Sequence, residues 1–369
     1  MRVYFDNAAT TPVAEEVISE VTKVMRDHFG NPSSIHQQGR DAKSLIELSR
    51  KQIAHFIGAQ SSEIIFTGGG TEADNLAIHA AIHDLHVQHI VSSKIEHSAV
   101  YNTLNNCTAK VHHVNFNSAG EIDLEHLSAI LELLEGKVLV SLMHVNNELG
   151  TILPIKEVGE ICKQFNAFFH SDTVQSIGHI PINVKEINVD FITCSAHKLH
   201  GLKGSGFLYA NKKNKIKSQI IGGGQERDMR GGTENVAGIV AMAKAVSLCD
   251  LSKDYEHASV LKLKLLKGLE EIFGDQMKLN GTLSNSTPFV LNVCLPKLSS
   301  ASMLLFNLDI EGVAVSGGSA CASGSHKGSR VLKELGVDEE LPAVRFSFSR
   351  NNTAEEVDFV LEKIKKIYS

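Results

Sequence analysis

Apolar residues recur every three or four positions over 13–29 and again over 37–57, where Ala42, Leu45, Ile46, Ile53, Phe56 and Ile57 fall on one face. Each stretch predicts a helix, and Gly30 and Gly58 follow where a left-handed cap suits the last turn. Thr11-Pro12 supplies a cap residue and a first-turn proline ahead of the first helix. Beyond Gly58 the period shortens. Compact apolar runs at 63–67, 89–93, 110–114, 138–145, 167–171 and 189–194 read as buried strands, and helical patterns at 76–85, from about 98, at 123–134 and at 154–165 separate them. Such alternation predicts a mostly parallel sheet with helices on both faces. After residue 234 it stops. A largely helical stretch, 234–273 with a break near Asp250-Leu251-Ser252, leads to strands at 289–295, 312–315 and 343–349 among helices at 301–308, 329–335 and 355–367. The expected architecture is α/β, with a large domain over 12–251 and a smaller α+β domain made of 1–11 and 252–369.

A chain of 369 residues exceeds one ordinary core, in keeping with two domains. With 43% hydrophobic and 21% charged residues its composition is that of a soluble globular protein. No apolar run approaches the ~18 residues that a membrane span requires, and Met1-Arg-Val-Tyr-Phe-Asp6 lacks the order of a signal peptide. A cytoplasmic protein without membrane attachment is expected. The net charge of −6 carries no overall basic footprint, which argues against direct nucleic-acid binding. The six cysteines are scattered without a Cys-x-x-Cys pair, so reduced thiols are expected.

Candidate chemistry gathers where predicted strands end. The run ending at Cys194 delivers Lys198 into Ser195-Ala-His-Lys-Leu-His-Gly-Leu-Lys-Gly-Ser-Gly206, at the carboxyl edge of the sheet where ligands of open α/β folds sit. A lysine partly withdrawn from water can react with an aldehyde such as pyridoxal phosphate; a solvated loop lysine is the competing reading. Gly68-Gly-Gly70-Thr71 opens a helix, the arrangement that binds phosphate through free N–H groups, although it also reads as a capped turn. It lacks the Gly-Lys-Ser/Thr ending of a nucleotide P-loop. Other strand ends carry Glu96-His97, Asn146-Asn147-Glu148 and Asp172-Thr-Val-Gln175, an acid, an imidazole and amides able to orient an aromatic ring. Gly222-Gly-Gly-Gln-Glu-Arg227 through Thr233 forms a second glycine-rich loop. His79, His83 and His86 share a helical face, with His89 beyond, but no His-Glu-x-x-His pattern accompanies them and no metal site is assigned. Cys321 sits among small polar residues near His326 and Lys327, cations that favour the thiolate, with an incidental exposed thiol as the competing reading.

Taken together, Asp6-Asn-Ala-Ala-Thr-Thr11, Gly30-Asn-Pro-Ser-Ser-Ile-His36, Phe66-Thr-Gly-Gly-Gly-Thr-Glu72, Met143-His-Val-Asn-Asn-Glu148, Ser195-Ala-His-Lys198, Gly222-Gly-Gly-Gln-Glu-Arg227, Ser319-Ala-Cys321 and Arg345-Phe-Ser347 resemble the cysteine desulfurases of the NifS/IscS type, in collinear order along nearly the whole chain. The resemblance implies a fold-type I pyridoxal 5'-phosphate enzyme of the class V aminotransferase superfamily, working as a homodimer. By position, Lys198 would hold the cofactor covalently, Asp172 would pair with the ring nitrogen, His97 would stack on the ring and Gln175 would bond its hydroxyl. Gly70, Thr71, Ser195 and His197 would cradle the phosphate, with Thr233 supplied by the other subunit. Asn147 and Arg345 would hold the carboxylate of L-cysteine. Cys321 would be the nucleophile, taking sulfur as a persulfide and leaving L-alanine, with Lys198 and His97 moving protons. The sulfur would pass to an acceptor protein, an iron–sulfur scaffold or a tRNA-thiolation protein. A selenocysteine lyase or another pyridoxal-phosphate-dependent β-elimination is the alternative. The chain departs from the family pattern at Gly70, where alanine is common, at Thr173, where a smaller residue is usual, and at Gly232, where serine is frequent; altered packing around the cofactor is expected.

Overall fold

The computed structural model describes residues 1–298, 304–317 and 328–369. The chain opens with a short strand β1 (Val3–Tyr4), then helices α1 (Glu15–Asp27) and α2 (Gln37–Phe56). An alternating core follows: β2 (Ile64–Thr67), α3 (Gly70–His83), β3 (His89–Ser92), α4 (Ser98–Asn105), β4 (Lys110–His113), α5 (Leu124–Leu133), β5 (Val138–Ser141), α6 (Ile155–Gln164), β6 (Phe168–Asp172), β7 (Phe191–Ser195) and β8 (Gly206–Ala210). Helices α7 (Val236–Ser247) and α8 (Leu251–Phe273) lead into β9 (Lys278–Asn280), β10 (Val290–Cys294), α9 (Leu304–Ile310), β11 (Val313–Ala314), α10 (Arg330–Glu334), β12 (Ala343–Ser347) and α11 (Ala354–Tyr368).

The seven strands β2 to β8 form one sheet in the order β2-β8-β7-β6-β5-β3-β4. Pairings from β4 across to β7 are parallel, and β8 runs antiparallel between β7 and β2. The sheet is therefore mostly parallel, as the alternation predicts. Strand β8 is absent from the sequence reading because Gly206-Phe-Leu-Tyr-Ala210 follows a glycine-rich loop and carries too short an apolar run to stand out. Strands β5 to β7 are buried along most of their length, which the continuous Val138-Leu-Val-Ser141 and Phe191-Ile-Thr-Cys-Ser195 runs already indicate. The expected strand over 138–145 ends at Ser141; Met143 to Asn146 leave the sheet and form a loop at its edge.

One hydrophobic core packs this sheet against α1, α2, α6 and α7, through residues such as Val17, Ile53, Phe169, Ile192 and Met242. A second core gathers Phe5, Leu265, Leu291, Phe346 and Ile364 around the three-stranded sheet β12-β10-β9. The first residues of the chain join this second core, since β1 pairs with β11 and Phe5 is fully buried in it. Among the described residues no helix is long and apolar enough to cross a membrane.

Candidate active site

Parallel strands deliver their last residues to one edge, and four such ends build a single cavity of about 180 Å³. Its lining includes Gly70, Thr71, Asp74, His97, Asn147, Asp172, Val174, Gln175, Ser195, His197, Lys198 and Arg345. Nearly all the site residues expected from the sequence thus meet in one place, although they come from separate loops. Asp74, Val174, Met143, Ala8 and Ala9 also line it, with no role expected for them from the sequence. Asp74 carried a signal: it lies one helical turn beyond Gly70 and so points to the same side of α3.

Lys198 follows β7 in a short helical turn, Ala196–Lys198. Its amine donates to the carbonyl oxygens of Ala8 (2.5 Å) and Ala9 (2.8 Å), tying the N-terminal segment to the cavity. Gln175 donates to the same Ala8 carbonyl at 2.9 Å. Asp172 ends β6 with its carboxylate buried, accepting the Val174 N–H at 2.9 Å. Burial, and next the neighbouring Asp74 carboxyl, push its pKa up, while His97 opposes the rise. His97 caps α4: its Nδ1 accepts the Ala99 N–H at 3.1 Å, which leaves the ring proton of the neutral form on Nε2. Burial holds that imidazole below its ordinary pKa, and the Lys198 and Arg330 cations add to the effect against Asp172. His197 is pushed down to about 4, by burial first and then by Lys198 and Lys203, and its Nδ1 lies 3.1 Å from the Thr10 hydroxyl.

The phosphate end follows from backbone geometry. Gly69, at φ 152°, adopts a conformation that side chains rarely allow and swings the chain from β2 into α3. No side chain caps the start of α3, so its first amides are left for an anion, with Thr71 in the first turn and Ser195 nearby. Arg345 on β12 is 1% exposed; it donates to the Asn147 carbonyl and to Asp6, each at 2.9 Å, while its Nε has no partner. A buried guanidinium with a spare N–H is equipped to take a carboxylate.

Thr233 is exposed and lines a different depression with Gly204, Ser205 and Arg230, away from the other site residues of its own chain. Cys321 lies outside the described residues. The segments on either side of that stretch are tied to residues at or beside the cavity: Ser316 pairs with Arg345 along the backbone and donates to Asp6 at 2.8 Å. On the other side Ser329 donates to buried Glu148, and Arg330 donates to the Glu96 carbonyl while its guanidinium lies 3.9 Å over the Tyr101 ring. Thr173 is accommodated without strain, since its buried hydroxyl donates to the Thr193 carbonyl at 2.6 Å.

The aminotransferase class-V family pattern matches residues 3–360. The chain is 41% identical to the cysteine desulfurase IscS of Dictyoglomus turgidum over 99% of its own length and 94% of that protein, and 41% identical to that of Methanosarcina thermophila over 99% and 91%. The chain belongs to the class-V aminotransferases, in their cysteine desulfurase branch. The fold of that branch accounts for the architecture above: a solved NifS-like protein superposes with a TM-score of 0.92 at 37% identity, covering 100% of this chain and 99% of the other. A structure described as SspA in complex with cysteine superposes at 0.83 with 30% identity, covering 96% and 100%. The fold-type I arrangement expected from the sequence is therefore the one present, with β8 as the antiparallel member of an otherwise parallel desulfurase sheet.

Proposed function

We propose that the cavity is a pyridoxal-5'-phosphate site at which L-cysteine is desulfurated to L-alanine, its sulfur leaving as a persulfide on Cys321. The carrying observation is the convergence of Lys198, Asp172, His97 and Arg345 on one cavity in a chain of the cysteine desulfurase branch. The residues fit the cofactor. Lys198 is within reach of an aldehyde, Asp172 offers a buried carboxylate for the ring nitrogen, Gln175 an amide for the ring hydroxyl, and the uncapped start of α3 with Gly70, Thr71, Ser195 and His197 a cradle for phosphate. When bound, pyridoxal phosphate supplies a carbonyl for the substrate amine and an electron sink for the bond cleaved at its α-carbon.

The chain's own groups do the rest. Arg345 and Asn147 hold the substrate carboxylate, which fixes the amino acid beside Lys198. The Lys198 amine, once released, takes the α-proton and returns it. His97, neutral and anchored through Nδ1, handles a proton at Nε2. Sulfur then passes between thiols: the Cys321 thiolate forms an S–S bond as the substrate C–S bond breaks, the electron pair stays with carbon, and a proton completes alanine. The anchored segments flanking Cys321, Ser316 beside Arg345 and Arg330 beside Glu96, support its assignment to this site.

A homodimer fits the same reading. Met25 and Phe29, 68% and 77% exposed, line a groove with Thr233 and Val236, an apolar surface that a second copy would cover while presenting its Thr233 to this cavity's phosphate end. A division into domains 12–251 and 1–11 with 252–369 is part of this reading, supported by the separate cores around the seven-stranded sheet and around β12-β10-β9. An acceptor protein, an iron–sulfur scaffold or a tRNA-thiolation protein, would collect the sulfur in the cytoplasm. The test is direct: incubated with pyridoxal phosphate and L-cysteine, the protein yields alanine, and the peptide containing Cys321 gains the mass of sulfur. Persulfide forming at the wild-type rate in Cys321→Ala would remove the assigned nucleophile.

A further inference from the structure

Asp74 has no part in the reading above, yet its side chain lies in the cavity wall behind Asp172 and is 1% exposed. Its carboxylate, that of Asp172 and the His97 ring have ligand atoms within 4.8 Å of one another. On its inner side the Asp74 Oδ1 faces His170 Nε2 at 3.4 Å, and neither atom has a hydrogen-bond partner. The far nitrogen of that ring, Nδ1, lies 2.8 Å from the Ser141 hydroxyl. Lys198 donates to the carbonyls of Ala8 and Ala9, and Arg345 to Asp6 and the Asn147 carbonyl.

Two carboxylates this close, withdrawn from water, do not both ionise. Asp172 is the one placed to remain charged, because Val174 N–H bonds it and His97 opposes its neutralisation. Burial pushes Asp74 up to about 7, against the Thr193 hydroxyl, which favours the anion, and the ring it faces, His170, is itself held neutral by burial, so Asp74 is the partner that keeps a proton. A protonated Asp74 can donate to His170 Nε2, which satisfies both orphaned atoms and lets Nδ1–H donate to Ser141. We propose that Asp74 is a positioning residue for the cofactor: held as a neutral hydrogen-bond donor between His170 and Asp172, it leaves Asp172 as the single anion opposite the ring nitrogen. The proposal rests on the pyridoxal-phosphate reading of the cavity.

The sign of the pH effect follows from linkage. A buried carboxyl whose folded pKa lies above its unfolded value of about 3.9 loses folding stability as pH rises from there toward its folded pKa. Asp74→Asn keeps the donor and removes the titration. In cofactor-free protein the melting temperature of Asp74→Asn, relative to wild type, should therefore climb steadily between about pH 4 and about pH 7. A residue that merely fills space would shift melting by the same amount at every pH. In absorbance titrations with pyridoxal phosphate, Asp74→Asn should bind within about threefold of wild type, whereas Asp172→Asn should bind at least about tenfold more weakly. A pH-independent melting difference, or an Asp74→Asn affinity loss equal to that of Asp172→Asn, overturns the proposal. Failure of the wild-type protein itself to take up pyridoxal phosphate would instead sink the cofactor reading and the proposal with it.

Discussion

Gly70→Ala adds one methyl group to the proposed cofactor cradle, and the structure says what it meets. A Cβ built on Gly70 lies 2.7 Å from Val174 Cγ2 and 3.7 Å from Ser195 Cβ, where carbon atoms in good contact are about 3.5–4.0 Å apart. Gly70 has no left-handed φ, so the overlap, not backbone strain, decides the outcome. Val174 cannot easily retreat: its N–H is bonded to Asp172 and the next residue, Gln175, to the Ala8 carbonyl. Overpacking of this kind costs about 1–3 kcal/mol, or a roughly 5- to 150-fold loss if it falls on cofactor affinity. Val174→Ala removes the obstructing methyls and should cost less than about 1.5 kcal/mol by itself. The double variant should then bind pyridoxal phosphate within about threefold of Val174→Ala alone, because the two positions share one contact. Absorbance titration of cofactor-free protein with pyridoxal phosphate measures all three. Additive effects of the two substitutions, or a Gly70→Ala variant with unchanged affinity, would refute the reasoning. If it holds, glycine at 70 is the counterpart of a branched residue at 174.

Two further outcomes concern stability. Glu226→Gln should cost about 3–5 kcal/mol in denaturant unfolding, because Glu226 bonds Arg50 twice, at 2.7 and 2.8 Å, with both side chains 3% exposed, and also accepts the Phe66 N–H at 2.8 Å. Glu226, Arg227 and Asp228 all lie in the left-handed region, at φ 46°, 58° and 66°, in the loop that leads to Thr233. Lys262 is buried with its amine on Ser286 and the Thr287 carbonyl, and burial lowers its pKa to about 8. A lysine whose folded pKa lies below its unfolded value weakens folding at and below neutral pH, and the penalty disappears as pH rises through about 8 to about 10. Lys262→Met should flatten that alkaline gain in a pH series of melting temperatures; an unchanged slope would show that Lys262 is not its source.

Local pattern was enough to recover most elements, because helix and strand periods and the glycines that end them are properties of neighbouring residues. The long helices α2 and α8 and the buried strands β6 and β7 were legible for this reason. The break between α7 and α8 was legible as well, at Asp250-Leu251. Lys198, Asp172 and His97 could be picked out as strand-end residues, and the collinear motifs suggested roles for them, since chemistry that needs particular side chains leaves them at recognisable spacings.

Tertiary structure decided what spacing cannot carry. Strand β8 inserts antiparallel between β7 and β2 because its short apolar run is completed by neighbours, and β1 joins a sheet more than 300 residues away in the chain. Asp74 and Val174 are ordinary helix and turn residues in one dimension; only the packing of α3 against β6 and β7 brings the first within reach of Asp172 and the second against Gly70. Burial and proximity set how close two carboxylates lie and which glycine has no room for a methyl, and both are properties of the folded chain alone.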